Sequence, residues 1–210
     1  MQTWRTTNAA LLITLYALII VLVGCADKSA QLPRLSPGAT VLAFGDSLTF
    51  GSGAPKDRSY PAVLAELSGF NVINAGNPGE ISADGLQRLE SVLSQYQPQL
   101  LILCHGGNDM LRKLDLKKTR DNIRNMVTLA KSRDISVVIL GVPKPKLFLM
   151  SSAQFYSDLA KEFKIPIETD IIPSVVSDSN LKSDAIHPNS EGYQLIAEAV
   201  YKLLRNHGAL

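Results

Sequence analysis

The chain has 210 residues, 46% hydrophobic and 19% charged, with 21 lysines and arginines against 19 aspartates and glutamates for a formal charge of +2. That size suits one well-buried domain rather than two, and the near balance of charge leaves no basic face for nucleic acid. Neither Cys25 nor Cys104 has a histidine or second thiol at metal-ligand spacing, which argues against a structural zinc site.

Residues 1–10 carry one basic side chain, Arg5, and residues 9–24 are then almost continuously apolar, broken by Thr14 and Tyr16. The run is long for a signal core and short for a transmembrane helix. Leu22-Val23-Gly24-Cys25 resembles the lipobox of bacterial lipoproteins. The resemblance implies a signal peptide over 1–24, a diacylglyceryl group on Cys25 as mature N-terminus, and attachment to the membrane through that lipid. Ala26 after the cysteine points to the cell envelope at the periplasmic face of the outer membrane. An uncleaved anchor is the alternative, and either one tethers the chain outside the cytoplasmic membrane. Residues 25–39, with Pro33, Pro37 and Gly38, read as the lipidated N-terminus and linker, and 40–210 as the domain.

From Thr40 short apolar runs alternate with longer amphipathic ones. Strands are predicted at 40–44, 71–74, 99–104, 136–140 and 165–168, and helices at 60–67, 83–96, 117–133, 152–163 and 190–206. Such alternation implies α/β architecture, a parallel sheet covered on both faces in a three-layer α/β/α sandwich. Pro98 stops the helix ending at Tyr96, while Pro188, Asn189 and Ser190 supply a turn and an N-cap. Asn77-Pro78-Gly79 reads as a type II turn. Cys104 ends the run Leu100-Leu101-Ile102-Leu103 and reads as a small buried thiol, unpaired with Cys25.

Ser47, directly after the first strand, sits where α/β folds place ligands. A serine hydroxyl becomes a nucleophile only beside a base, and imidazole suits that task near neutral pH. The chain has three histidines. His207 lies in a tail expected to fray. His105, before Gly106-Gly107-Asn108-Asp109, lacks a carboxylate at an orienting spacing and reads as a hydrogen-bonded strand-end residue. His187 has Asp184 three positions earlier, which could fix its tautomer and stabilise the imidazolium. For an oxyanion, Gly79 offers a backbone N–H and Asn108 a side-chain amide. Taken singly, Gly79 only completes a turn and Asn108 only bonds its own loop; taken together, they follow successive strands at one sheet edge.

Gly45-Asp46-Ser47-Leu48, Gly79, Gly106-Gly107-Asn108-Asp109 and Asp184-Ala185-Ile186-His187 resemble, in order, the four motif blocks of the SGNH hydrolases, also called GDSL lipases and esterases. Residues 74–80 and 86–93 add similarity to the arylesterase, acyl-thioesterase and lysophospholipase branch. The resemblance implies a flavodoxin-like fold with five parallel strands in order 2-1-3-4-5. It also implies nucleophile Ser47, base His187 with partner Asp184, and oxyanion donors from the Ser47 and Gly79 N–H groups and the Asn108 side chain. No metal or organic cofactor is implied. The substrate would be a small acyl ester, thioester or lysophospholipid, and the protein a monomer. Gly51 falls four residues after Ser47, so this is not a Gly-x-Ser-x-Gly elbow. The family usually has an acidic residue near position 105, from which His105 departs.

Met110, Leu111, Val142, Pro143, Leu147 and Phe148 could line an apolar groove for an acyl chain. Alternatively, Leu147 to Met150 only begin the core face of the next helix. Two other functions compete with a serine esterase of this branch: removal of O-acetyl groups from envelope or extracellular polysaccharide, and a lipoprotein scaffold without turnover.

Overall fold

The computed structural model describes residues 30–144 and 151–210. The expectations for Cys25, Leu147 and Phe148 lie outside the described residues. Strand β1 (Thr40–Gly45) is buried along almost its whole length because it runs between two neighbours, β2 (Asn71–Gly76) and β3 (Leu100–Cys104). β3 and β4 (Ser136–Leu140) are likewise apolar and buried, whereas β2, at the sheet edge, is half exposed. That difference explains why the inner strands are continuous Leu, Val and Ile runs and β2 is not.

A small antiparallel pair, β5 (Pro143–Lys144) and β6 (Ser151–Ser152), follows, and β7 (Ile167–Glu168) closes the other edge of the main sheet. The five-stranded sheet is parallel in the order β2-β1-β3-β4-β7. This is the flavodoxin-like order that the motif blocks imply.

The helices are α1 (Ser47–Phe50), α2 (Tyr60–Ser68), α3 (Ser82–Tyr96), α4 (Gly107–Leu111), α5 (Leu116–Lys131), α6 (Gln154–Phe163), α7 (Ile171–Ser177) and α8 (Ser190–Asn206). α2 packs on α8, and α3 on α5, so the sheet is flanked by helical layers. Asn189 caps α8 by accepting the Gly192 N–H at 3.0 Å, and Asp115 caps α5 by accepting that of Lys117 at 2.8 Å. α1, α4 and α7 span at most seven residues, too few to show a 3.6-residue period. The helix expected from residue 152 begins at Gln154, because Ser151–Ser152 pairs with Pro143–Lys144.

The end of the chain differs from the frayed tail expected around His207. Leu32 N–H donates to His207 O at 2.8 Å and Leu35 N–H to Ala209 O at 2.9 Å, while His207 Nδ1 bonds Ala30 O. Leu32, Ala39 and Ala209 are buried in the core. The segment that reads as linker by composition is thus held against the domain from Ala30 onward. It meets α8 at its C-terminal end. α8 has 17 residues, about 25 Å in length, and starts three residues after His187.

A chain that begins at residue 39 should therefore be less stable than one beginning at residue 30 by about 2–4 kcal/mol, the burial of Leu32 and three backbone hydrogen bonds, to His207, Ala209 and Gly69, being lost. Urea midpoints of the two forms check this, and equal midpoints would show that the docked segment adds nothing.

Candidate active site

The parallel register aligns the ends of three strands, Gly45 with Gly76 on one side and with Cys104 on the other. The turns that follow them therefore emerge side by side. Gly45 has to be glycine here, since a Cβ would stand 2.0 Å from the Cys104 carbonyl oxygen. Directly after it, the Asp46 side chain accepts the Leu48 N–H at 3.1 Å and starts the single turn of α1. Ser47 is thereby presented at the sheet edge. Burial pushes the Asp46 carboxyl above its ordinary pKa, against the opposing effect of the Leu48 N–H.

Opposite Ser47 stands the loop before α8. It is shaped by backbone bonds from Ser183 N–H to His187 O at 3.0 Å and from Asn189 N–H to Leu181 O at 2.9 Å. His187 Nδ1 lies 2.7 Å from Asp184 Oδ2, and Nε2 lies 3.0 Å from Ser47 Oγ. A carboxylate only accepts, so Nδ1 carries the proton and Nε2 is left to receive that of the serine. Asp184 Oδ1 also accepts the N–H groups of Ile186 at 2.8 Å and of His187 at 2.9 Å. The His187 side-chain bond, aided by these two amides, holds the Asp184 pKa at about 2. The three side chains expected from the sequence are thus joined, in an arrangement competent for proton transfer from Ser47.

The turn after β2 is as read from the sequence. Gly79 has φ +79°, and Glu80 N–H donates to Asn77 O at 3.2 Å, which fits a type II turn. Arg112 Nη2 donates to Gly79 O at 2.8 Å. Asn108, at the first turn of α4, donates Nδ2–H to Glu80 O at 3.0 Å and approaches Asp46 Oδ2 at 3.3 Å. Asn108 thereby links the ends of β1, β2 and β3. Among the described residues, no acceptor is paired with the backbone N–H of Ser47 or of Gly79.

Beneath this edge lies a polar cluster that the sequence did not disclose. Glu80 receives Arg88 Nε at 2.7 Å and Nη2 at 2.7 Å, Asn77 Nδ2 at 2.9 Å, and His105 Nε2 at 3.1 Å. Burial alone would raise the Glu80 pKa, but the bonds from His105, Arg88 and Asn77 together outweigh it and hold the carboxyl at about 2. The Arg88 guanidinium also lies 4.2 Å from the centre of the Phe44 ring. His105 is hydrogen-bonded at the end of its strand, as read from the sequence, but its carboxylate partner Glu80, and Arg88 with it, were not foreseen, because these residues meet through tertiary packing.

A cleft of about 130 Å³ adjoins Ser47, Asn108 and His187, walled by Leu48, Leu111, Val142, Pro143, Ile172, Val176 and Ile186. Leu111, Val142 and Pro143 were expected there. Met110 instead turns into the core and is buried, and Gly79 is not part of the cleft wall. Ile172 and Val176, on one face of α7, were missed. Their apolar run around Pro173 carried the signal, since proline is tolerated in the first turn of a helix.

The chain matches the GDSL-like Lipase/Acylhydrolase family over residues 43–195. It is 30% identical over 183 residues to thioesterase 1/protease 1/lysophospholipase L1 of Escherichia coli (strain K12), covering 82% of this chain and 86% of that protein. It is 28% identical over 200 residues to an arylesterase of Vibrio mimicus, covering 90% and 98%. The crystal structure of TesA superposes with a TM-score of 0.70 at 25% identity, over 80% of this chain and 99% of that one. With its blocks in order and its sheet in the matching topology, this chain belongs to the GDSL-like lipase/acylhydrolase family, also called the SGNH hydrolases.

Proposed function

We propose that this ester-bond hydrolase works by two-step acyl transfer through Ser47, on acyl esters, thioesters or lysophospholipids. The observation that carries the reading is the chain of bonds Ser47 Oγ, His187 and Asp184, at 3.0 and 2.7 Å. Ser47 Oγ attacks the carbonyl carbon as its proton passes to His187 Nε2. The oxyanion is met by the N–H groups of Ser47 and Gly79 and by the Asn108 amide, whose longer contact with Asp46 yields to it. Collapse breaks the bond to the alcohol or thiol, which leaves with the proton from His187. Water then attacks the acyl-serine with the same base, and the acid departs.

The apolar walls supplied by Leu48, Val142, Ile172 and Val176 support an acyl chain in the cleft over an acetylated sugar. Cys25, outside the described residues, is read as lipidated, with the envelope as the site of attachment. Residues 30–35 dock at the end of α8 remote from His187, which supports a tether that leaves the cleft open on the far side.

Assayed on p-nitrophenyl esters from acetyl to dodecanoyl, the full chain should prefer chains longer than acetyl, and Ser47→Ala should lose at least about 10³-fold in kcat. Activity confined to acetyl esters and acetyl-sugars would favour the polysaccharide reading. Asp184, held at about 2, stays ionised wherever the enzyme works, so the acid limb of kcat/KM should fall with unit slope, as for uptake of one proton by the base alone. A flat profile from about pH 5 to 8 would remove His187 as the base. Radiolabelled palmitate fed to cells should label the full chain and not its Cys25→Ser variant, whereas an uncleaved anchor would leave both unlabelled.

A further inference from the structure

His105 is fully buried, yet no step of the proposed reaction uses it. It sits at the C-terminal end of β3, directly before the turn that leads to Asn108. Its Nδ1 accepts the Gly106 N–H at 2.9 Å. The proton therefore sits on Nε2, which donates to Glu80 Oε2 at 3.1 Å. Its own carbonyl accepts the Tyr156 hydroxyl at 2.7 Å, which fixes the backbone at the same point. One ring nitrogen thus holds the segment that carries Asn108, and the other holds the segment that carries Gly79.

Glu80 is the link that makes this matter. Its carboxylate is gripped by His105, Arg88 and Asn77, while its backbone carbonyl accepts the Asn108 amide. Movement of the Glu80 side chain would shift both the Gly79 peptide next to it and the acceptor that aims Asn108. An imidazole is rigid and offers one donor and one acceptor on opposite edges, so it sets the separation of the two segments as a flexible side chain would not.

A second observation concerns the helix opposite. Gly85 lies inside α3, where glycine costs about 1 kcal/mol relative to alanine. A Cβ at that position would stand 2.2 Å from His105 Nε2. The helix is bare at the one place where the ring edge that reaches Glu80 comes against it. A buried polar side chain is tolerated only when its partners are in place, and here both ring nitrogens have them.

We infer that His105 is a positioning residue of the oxyanion hole, its two ring nitrogens bracing the Gly79 and Asn108 segments through Glu80 and the Gly106 N–H. The inference rests on the assignment of Gly79 and Asn108 as oxyanion donors. It concerns stabilisation of the tetrahedral state rather than binding of the ester.

The test uses the full chain with p-nitrophenyl butyrate, and a trifluoromethyl ketone as probe, since serine adds to its carbonyl to give an anionic tetrahedral adduct. His105→Leu should lower kcat about tenfold or more with KM changed less than about twofold, and weaken the ketone by the same factor as kcat, a fraction of the 10²–10³-fold for losing a donor outright. His105→Gln, whose amide can donate to Glu80 and accept from Gly106, should recover most of both. Gly85→Ala, which keeps the imidazole but crowds it, should lower kcat and ketone affinity together. It also serves where His105→Leu does not fold.

Unchanged ketone affinity in His105→Leu, a glutamine variant no better than leucine, or wild-type kcat in Gly85→Ala would each overturn the role. Asn108→Ala run in parallel separates the two levels. Turnover lost there but intact in a folded His105→Leu sinks the bracing role alone, while turnover kept in Asn108→Ala sinks the oxyanion assignment and the bracing role with it.

Discussion

The close approach of β1 and β3 at their C-terminal ends is the constraint on which the site depends. With no side chain at Gly45, the Cys104 carbonyl comes within a distance that any Cβ would forbid, and the parallel register then sets the turns after β1, β2 and β3 side by side. Parallel strands end their chains at one edge by construction, so three segments distant in sequence converge without any loop having to reach across the molecule. Asp46 exploits that convergence twice, as the cap of α1 and as a partner of Asn108. Replacing Gly45 would therefore do more than strain one residue: it would part the strand ends that hold Ser47 and Asn108 together.

The two sides of the site are stabilised by different means. On the side of Gly79 and Asn108 the supporting groups Asp46, Glu80 and His105 are buried, and a low-dielectric surround makes their hydrogen bonds stronger and their loss more costly. Among the described residues, no buried side-chain nitrogen or oxygen lacks a partner. On the other side Asp184 is 53% exposed and His187 20% exposed. There the loop is fixed locally, by amides that Asp184 accepts and by the Ser183 and Asn189 backbone bonds. The division suits the chemistry. An oxyanion needs fixed dipoles that do not reorganise, while a base that must release a proton to a departing group and recruit water works beside solvent.

Much of this was legible because it is written in local pattern. The inner strands are unbroken apolar runs, the long helices repeat at 3.6 residues, and the four motif blocks name Ser47, Gly79, Asn108, Asp184 and His187 directly. What stayed hidden depends on distance in space. α7 contributes Ile172 and Val176 to the cleft in a helix too short to show a period. Met110 and Leu111 are adjacent in sequence, yet one faces the core and the other the cleft mouth, a choice set by the pitch of α4. The docking of Leu32 beside His207 joins two segments whose composition separately suggests linker and tail.

His105 shows how a buried histidine can be read physically. It places a hydrogen-bond donor facing Glu80, so the negative charge of that wall resides on Glu80 itself and is matched by Arg88. An acid at 105 would have set two carboxylates against each other beneath a site that must stabilise an anion. The imidazole avoids that repulsion and still accepts the Gly106 amide. Its bulk is accommodated by a glycine inside α3, a local choice that weakens the helix and makes sense only through the packing it permits. Where local preference and tertiary need conflict in this way, the conflict is expected at functional sites, and the segments that His105 touches are those that carry the proposed oxyanion donors.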